Sequence, residues 1–173
     1  MRRRCLSLTV VAALALGACG GDDDKDKIKS KADFIAAADK ICVARDASST
    51  KLATQVGSGN DLAKLSAALA DIYDKAITEL QAVSLPPGDA RAGAQKYVKE
   101  TVALREPVAQ MKVASKDLEA AVKTKRPAEV QRAGRKLQVS VNTVQALGNV
   151  ADQSARTYGM RSCGQSAPVN PVS

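Results

Sequence analysis

The spacing of the apolar residues narrows the folds open to this chain more than any other feature. Leu62, Leu65, Leu69, Ile72, Ala76, Leu80 and Val83 follow one another at intervals of three and four. Such intervals return the same face of an α-helix at every turn and make a seam for neighbouring helices. Three further stretches behave alike. Phe34, Ala37, Ala38, Ile41 and Cys42 form the first stripe in chain order, and Ala94, Tyr97, Val98, Thr101, Leu104, Val108, Met111, Leu118 and Val122 the third. Val130, Ala133, Leu137, Val141, Val144, Leu147, Ala151, Ala155 and Tyr158 form the fourth. Composition agrees: alanine is by far the commonest residue, tryptophan is absent, and Phe34 is the only phenylalanine. Alanine and leucine favour helix, whereas strands draw on β-branched and aromatic residues. The pattern predicts an all-α fold, an antiparallel four-helix bundle of up-down-up-down topology over residues 30–164.

Punctuation residues bound the four stretches. Ser30 followed by Asp33 reads as a capping box, and Asn60 as the cap of the second helix. Gly57-Ser58-Gly59 ends the first helix and Pro86-Pro87-Gly88 the second, because proline cannot continue a helix. Pro127 suits a first helical position, and Gly159 a left-handed end with Met160 packing back. Pro107 falls inside the third period. It is expected to remove one backbone hydrogen bond and kink the helix near Ala103–Leu104 rather than split it. Gly134 and Gly148, on or near the fourth face, are expected to admit a close neighbour.

The chain begins Met1-Arg2-Arg3-Arg4, continues with an apolar run from Cys5 to Leu16, and then reads Leu16-Gly17-Ala18-Cys19. A basic start and a short apolar run are the marks of a secretory signal; a permanent membrane span needs about 20 residues. Leu-Gly-Ala-Cys resembles a bacterial lipobox. An ordinary signal cut would place a small residue three before the cleavage point, where Leu16 stands. The expectation is therefore cleavage after residue 18 and diacylglycerol and palmitate on Cys19, holding the domain at the extracytoplasmic face of the cell membrane. Residues 19–29 are expected to form a flexible polar linker and 165–173 a disordered tail. Asp22-Asp23-Asp24 reads as part of that spacer rather than as a cation site.

Cys5 leaves with the signal and Cys19 takes the lipid, so Cys42 and Cys163 remain in a compartment where disulfides persist. A bond between them is expected. Free thiols or a metal site are the rivals, but a chain without histidine offers a poor zinc donor set. Cys42 lies about three turns into the first helix, so the segment after Gly159 has to fold back along that helix.

Little chemistry is available. Without histidine, Ser-His-Asp and Cys-His arrangements are excluded. Gly57-Ser58-Gly59 lacks the lysine and strand of a phosphate-binding loop. Asp71, Asp74, Glu79, Glu100 and Glu106 fall outside the apolar stripes and read as surface charges. Tyr73 and Tyr97 read as packing residues, or as the lining of a pocket between helices. No catalytic, cofactor-binding or metal-binding residue is assigned. The formal charge of +8 falls to +5 once Arg2, Arg3 and Arg4 are removed. Such an excess suits a solvated surface beside anionic headgroups or wall polymers. Nucleic acid is a poor partner, since stacking aromatics are nearly absent.

Ala38-Asp39-Lys40-Ile41-Cys42, Leu85-Pro86-Pro87 and Tyr158-Gly159-Met160-Arg161-Ser162-Cys163, together with the lipobox and polar spacer, resemble the pattern of small helical lipoproteins of actinobacteria. The resemblance implies a helical bundle closed by a Cys42–Cys163 bond, and it implies no activity. The expected function is a membrane-anchored, non-enzymatic binding or interaction module whose partner is an envelope protein or polymer. The alternative is a carrier or sensor of a small apolar ligand held in the bundle core. A cavity near Tyr73 or Tyr97 favours the carrier, an exposed apolar or basic strip favours the module, and a cleft with two facing carboxylates favours an enzyme.

Overall fold

The computed structural model describes residues 28–54 and 62–165. The signal, Cys19, most of the linker, the Gly57–Gly59 turn, the Asn60 cap and the tail from 166 onward lie outside the described residues. The described chain is helical, with no strand among the described residues. Its elements are α1 (Lys31–Thr54), α2 (Leu62–Ala82), α3 (Ala90–Val102), α4 (Arg105–Thr124) and α5 (Pro127–Tyr158). No helix among them is long and apolar enough to cross a membrane.

α3 and α4 are two segments of one bent helix, so the bundle has four helices as the periodicity predicts. The bend falls at Ala103–Leu104, where both residues keep right-handed helical angles. Pro107 has no N–H to offer the carbonyl of Ala103, and its ring crowds that carbonyl. The chain answers by tightening. The Leu104 N–H bonds the Thr101 carbonyl at 3.1 Å, an i to i−3 contact, before Val108 resumes the α-helical pattern with Leu104.

The helix ends follow their local chemistry. Ser30 Oγ accepts the Asp33 N–H at 3.1 Å and donates to Asp33 Oδ2, which also accepts the Lys29 N–H. The capping box is therefore present, shifted by one residue on its return arm. At the far end of the chain Gly159 sits at φ +100°, its N–H bonding the Arg156 carbonyl while the Met160 N–H bonds that of Ala155. This pair of bonds is a complete Schellman motif, and Met160 is buried behind it.

The inward face of α2 differs from the expected leucine seam. Ala63, Ser66, Ala70, Ile77 and Leu80 are buried, whereas Leu62 is exposed and Leu65, Leu69, Ile72 and Ala76 are half-buried. Small side chains occupy the line of closest approach and the larger ones flank it. Interaxial distance is set by the residues at the contact, so alanine and serine there let helices draw together. The same rule exposes Val122 and buries Ala121 on α4. Ile28, expected in the solvated linker, is half-buried against the core.

The core has two parts. One joins α2, α4 and α5 through residues such as Ile77, Val108, Met111, Leu118 and Leu137. The other joins α1, α3, the end of α5 and the segment beyond it through Phe34, Ala94, Tyr97, Ala155, Tyr158 and Met160. In the second part Cys42 and Cys163 are disulfide-bonded with Cα atoms 5.1 Å apart.

The returning segment is held by more than the bond. Asp39, one turn before Cys42, accepts the Arg161 N–H on Oδ2 at 3.1 Å, and the Ser162 and Cys163 N–H groups on Oδ1 at 2.8 and 3.1 Å. Arg156 Nη1 donates to the Gly164 carbonyl at 2.6 Å. Asp39→Ala is expected to cost about 2–3 kcal/mol, since it strips three donors of an ionised acceptor. Urea denaturation reads the loss, and faster amide exchange confined to residues 161–163 identifies its source. A midpoint unchanged from the parent chain contradicts the clasp.

Candidate functional site

The two halves of the core do not fill the space where they meet. A cavity of about 70 Å³, partly open to solvent, lies there between α1, α2, the bent third helix and α5. Its position follows from the elements around it. Leu104, at the bend, and Gly148, in mid-α5, both line it. A Cβ added at Gly148 meets nothing within 4 Å. The expectation that Gly134 and Gly148 admit a close neighbour is therefore corrected: the space beside both is open. The close approach occurs instead at Gly93, where an added Cβ would come within 2.6 Å of the Tyr158 ring.

Leu69, Leu104, Met111, Val141, Val144 and Ala151 make much of the lining apolar, but polar side chains share it. Arg45 from α1, Tyr73 from α2, Tyr97 and Thr101 from α3, and Gln145, Asn149 and Asp152 from α5 all contribute. Asp152 is 8% exposed and the Arg45 side chain 11% exposed, so one charge of each sign is held largely away from water. Burying charge is costly unless it is compensated by partners. Arg45 Nε and Nη2 reach Asp46 Oδ1 at 2.9 and 2.8 Å, and its guanidinium lies 5.6 Å from the centre of the Tyr73 ring. Burial works against the Arg45 charge, yet Asp46 and the two phenols hold its pKa above the ordinary value. Burial also raises the pKa of Tyr73, and pushes that of Tyr97 up to about 12. Both phenols keep their protons at neutral pH and can donate or accept hydrogen bonds.

The disulfide adjoins this cavity. The Tyr97 hydroxyl points at Cys42 Sγ, 3.6 Å away, and Arg45 follows Cys42 by one helical turn. The bond that returns the chain to α1 thus also fixes the helix that presents Arg45.

The other candidate residues scatter. Asp71 pairs with Lys112, Glu79 with Lys75 at 3.7 Å, and Glu106 accepts from Gln110 at 2.9 Å. Asp74 is exposed. These read as surface charges, each pair contributing on the order of 0–1 kcal/mol. Glu100 departs from that expectation: it is half-buried, 3.9 Å from Lys96 through Oε1, and its Oε2 has no hydrogen-bond partner. No group of three metal-ligating side chains occurs among the described residues. Cys19 lies outside them.

Sequence reasoning found Tyr73 and Tyr97 but missed Arg45 and Asp152. A signal existed for both. Phe34, Ala38 and Cys42 descend one face of α1, and Arg45 takes the next place on it. Asp152 follows Ala151 on the inward line of α5. A charge at an inward helical position marks a buried polar site.

A second surface feature lies on the outside of the bundle. Val113 of α4 and Val139 of α5 are 60% and 65% exposed and flank a groove that Arg132, Arg135 and Lys136 border. Lys136 also reaches Asp117 across it at 3.4 Å.

No protein-family model matches this chain, nor does any curated protein or solved structure.

Proposed function

We propose that this chain is a lipid-anchored, non-enzymatic binding protein of the extracytoplasmic membrane face, and that the cavity between the two halves of its core is its ligand site. The observation that carries the reading is the meeting of Arg45, Tyr73, Tyr97 and Asp152 around an unfilled space. A structural core gains nothing from such a gap, because a void forfeits packing contacts. Largely pre-formed concave sites with a few placed polar groups are how small molecules are bound. The lining pairs apolar side chains with a few polar groups, which suits a small guest that is apolar with a polar end. Location rests on the lipobox and the membrane anchor through Cys19. The linker up to the ordered start of α1 supplies reach, and the resemblance to actinobacterial lipoproteins agrees with both.

Two measurements test the reading. Cys19→Ala is expected to release the protein from membranes or to leave an unprocessed precursor; retention at the membrane as a mature-sized protein refutes the anchor. Native mass spectrometry of the chain from its own host is expected to show a co-purifying small molecule that leaves on denaturation.

The exposed valines and basic border of the α4–α5 groove support a second reading, a face for an envelope protein or acidic polymer. Crosslinking in membranes that captures one partner through residues 132–139, with no small molecule in the core, favours it over the first.

A further inference from the structure

Resting on the second reading above, a docking face on the outside of the bundle, we infer that this face runs along the outward strip of α5. Its occupant is an α-helix of an envelope protein, apolar along one stripe and acidic at one end. α5 carries two seams. The inward one runs through Ala133, Leu137, Ser140, Val144, Ala151 and Ala155. On the solvent side Val139, Thr143, Ala146, Val150, Gln153 and Thr157 are all exposed and follow at intervals of three and four, so they too share one face. Arg132 and Arg135 continue that face toward the α4–α5 turn.

The strip carries no charge from Val139 to Thr157, about 27 Å of helix. One residue in four of the chain is charged, 25% in all, and the other outward faces show it. α2 exposes Asp71, Asp74, Lys75 and Glu79, and α4 exposes Lys112, Lys116, Asp117 and Lys123. Arg156 lies to one side of the strip and donates to the Gly164 carbonyl. Depletion of charge is the compositional mark of the centre of a protein–protein interface. The strip is also less hydrophilic than its residue types suggest. The Thr143 and Thr157 hydroxyls donate to the Val139 and Gln153 carbonyls, each at 2.9 Å, and need no partner from water. Val139 and Val150 beside them are 65% and 47% exposed.

The charged end fixes the chemistry of the partner. From residue 130 to 165 the one carboxylate is Asp152, which is buried, so this length of α5 offers solvent cations alone. Asp117, which lines the groove with the arginines, is taken by Lys136 at 3.4 Å, and Glu129 by Arg126 at 3.0 Å. Carboxylates for Arg132 and Arg135 therefore come from outside, and guanidinium groups hold them in charge-assisted bonds. Other occupants fit less well. A second copy brings another basic chain whose own α5 exposes no acid. An acidic polymer needs cations along its length, whereas the strip has two at one end. A bilayer surface takes tryptophan, phenylalanine and leucine, which the strip lacks. A helix satisfies its own backbone and can lay an apolar stripe beside Val113 and Val139 in the groove. Contact along one helix is at the small end of protein interfaces, so the complex is transient.

The test is an NMR titration of the full chain in phosphatidylcholine nanodiscs. The probes are amphipathic helical peptides of about 20 residues, long enough for the strip. They carry leucine at intervals of three and four, and glutamates, lysines or glutamines at one end. The glutamate peptide is expected to shift the amides of residues 132–157 saturably, and the lysine peptide to bind at least tenfold more weakly, with the glutamine peptide between them. An Arg132→Glu, Arg135→Glu chain reverses that preference, which a merely structural role of the arginines does not do. Ala146→Glu, a charge at an exposed helical position, lowers affinity at least tenfold, whereas Lys75→Gln on α2 leaves it unchanged. The inference is overturned if the lysine peptide matches the glutamate peptide, if the double variant keeps the original preference, or if Ala146→Glu binds normally. It is also overturned if polyglutamate, or a change to phosphatidylglycerol discs, shifts the same amides as far, which assigns the strip to a polymer or to the membrane. Photocrosslinkers at Val139 and at Ala146, in membranes of the chain's own host, separate this inference from the reading it rests on. Capture of one protein from both positions, lost in the Arg132→Glu, Arg135→Glu chain, supports both. Capture from Val139 alone keeps the docking face and overturns its extension along α5, and capture from neither overturns both.

Discussion

Replacing both cysteines of the bond, in a Cys42→Ser, Cys163→Ser chain, is expected to lower stability by about 5 kcal/mol and the melting temperature by roughly 10–15 °C. The bond closes a loop with a sequence separation of 121, and chain entropy assigns one of the larger disulfide contributions to a loop of that length. The effect resides mainly in the unfolded chain. In the folded state the returning segment keeps its three hydrogen bonds to Asp39 and the buried Met160 side chain. The far-ultraviolet circular dichroism of the double variant should therefore match the parent below the transition, while its midpoint in urea falls. A melting temperature within about 2 °C of the parent, under conditions where the parent is oxidised, would show that the crosslink contributes nothing. A loss of helix already in the absence of denaturant would show instead that the clasp does not hold without it.

Phe34→Ala should cost about 3–5 kcal/mol. Phe34 is fully buried and meets the Tyr158 ring edge to face, with centroids 5.8 Å apart and planes at 83°. Losing that ring pair alone removes about 0.5–1.5 kcal/mol. Several residues of the same cluster are alanines, among them Ala38, Ala94, Ala151 and Ala155. Their side chains are too short to swing into the space, so the void stays open and the cost lies toward the upper end of the range. Because total stabilities of domains run to only about 5–15 kcal/mol, this one change removes a large share. Differential scanning calorimetry gives the number, and a loss below about 1 kcal/mol would mean that this end of the bundle repacks.

Both predictions concern the end of the molecule where α1 and the returning segment meet, and that end was readable in advance. Asp39 and Cys42 share one short stretch of sequence, and Gly159 sits four residues before Cys163. The need for the chain to fold back follows from helix length alone. The role of Asp39 did not follow. A single carboxylate collecting three backbone N–H groups depends on how the segment curls, and nothing in the spacing marks an acceptor for it.

α2 shows where periodicity misleads. Weighting by side-chain size selects Leu62, Leu65 and Leu69 as the inward line. The fold places Ala63, Ser66 and Ala70 there instead, because the helices approach closely and the leucines serve better as flanks. The two lines lie one residue apart on the same helix, a rotation of about 100°, so the helix was right and its contact line was not. At α3–α4 the opposite held: the removal of one N–H at Pro107 has a fixed reach of four residues, which puts the bend at Ala103–Leu104 without reference to anything else.

By itself, then, the sequence determined the helices, the ends at Ser30, Pro86, Pro127 and Gly159, the bend, and the pair of cysteines that meet. These are local properties, set within a few residues by hydrogen-bond geometry, side-chain spacing and the special backbones of proline and glycine. The cavity belongs to tertiary structure alone. It exists because two separately packed halves of a core join at a bend and at Gly148, and because Arg45 and Asp152, 107 positions apart in the chain, turn toward the same gap. Each stands as a charge at an inward position of its own helix, but nothing within either helix shows what it faces. Only the packing of one helix against the others gives the two charges a shared, water-poor space in which to act.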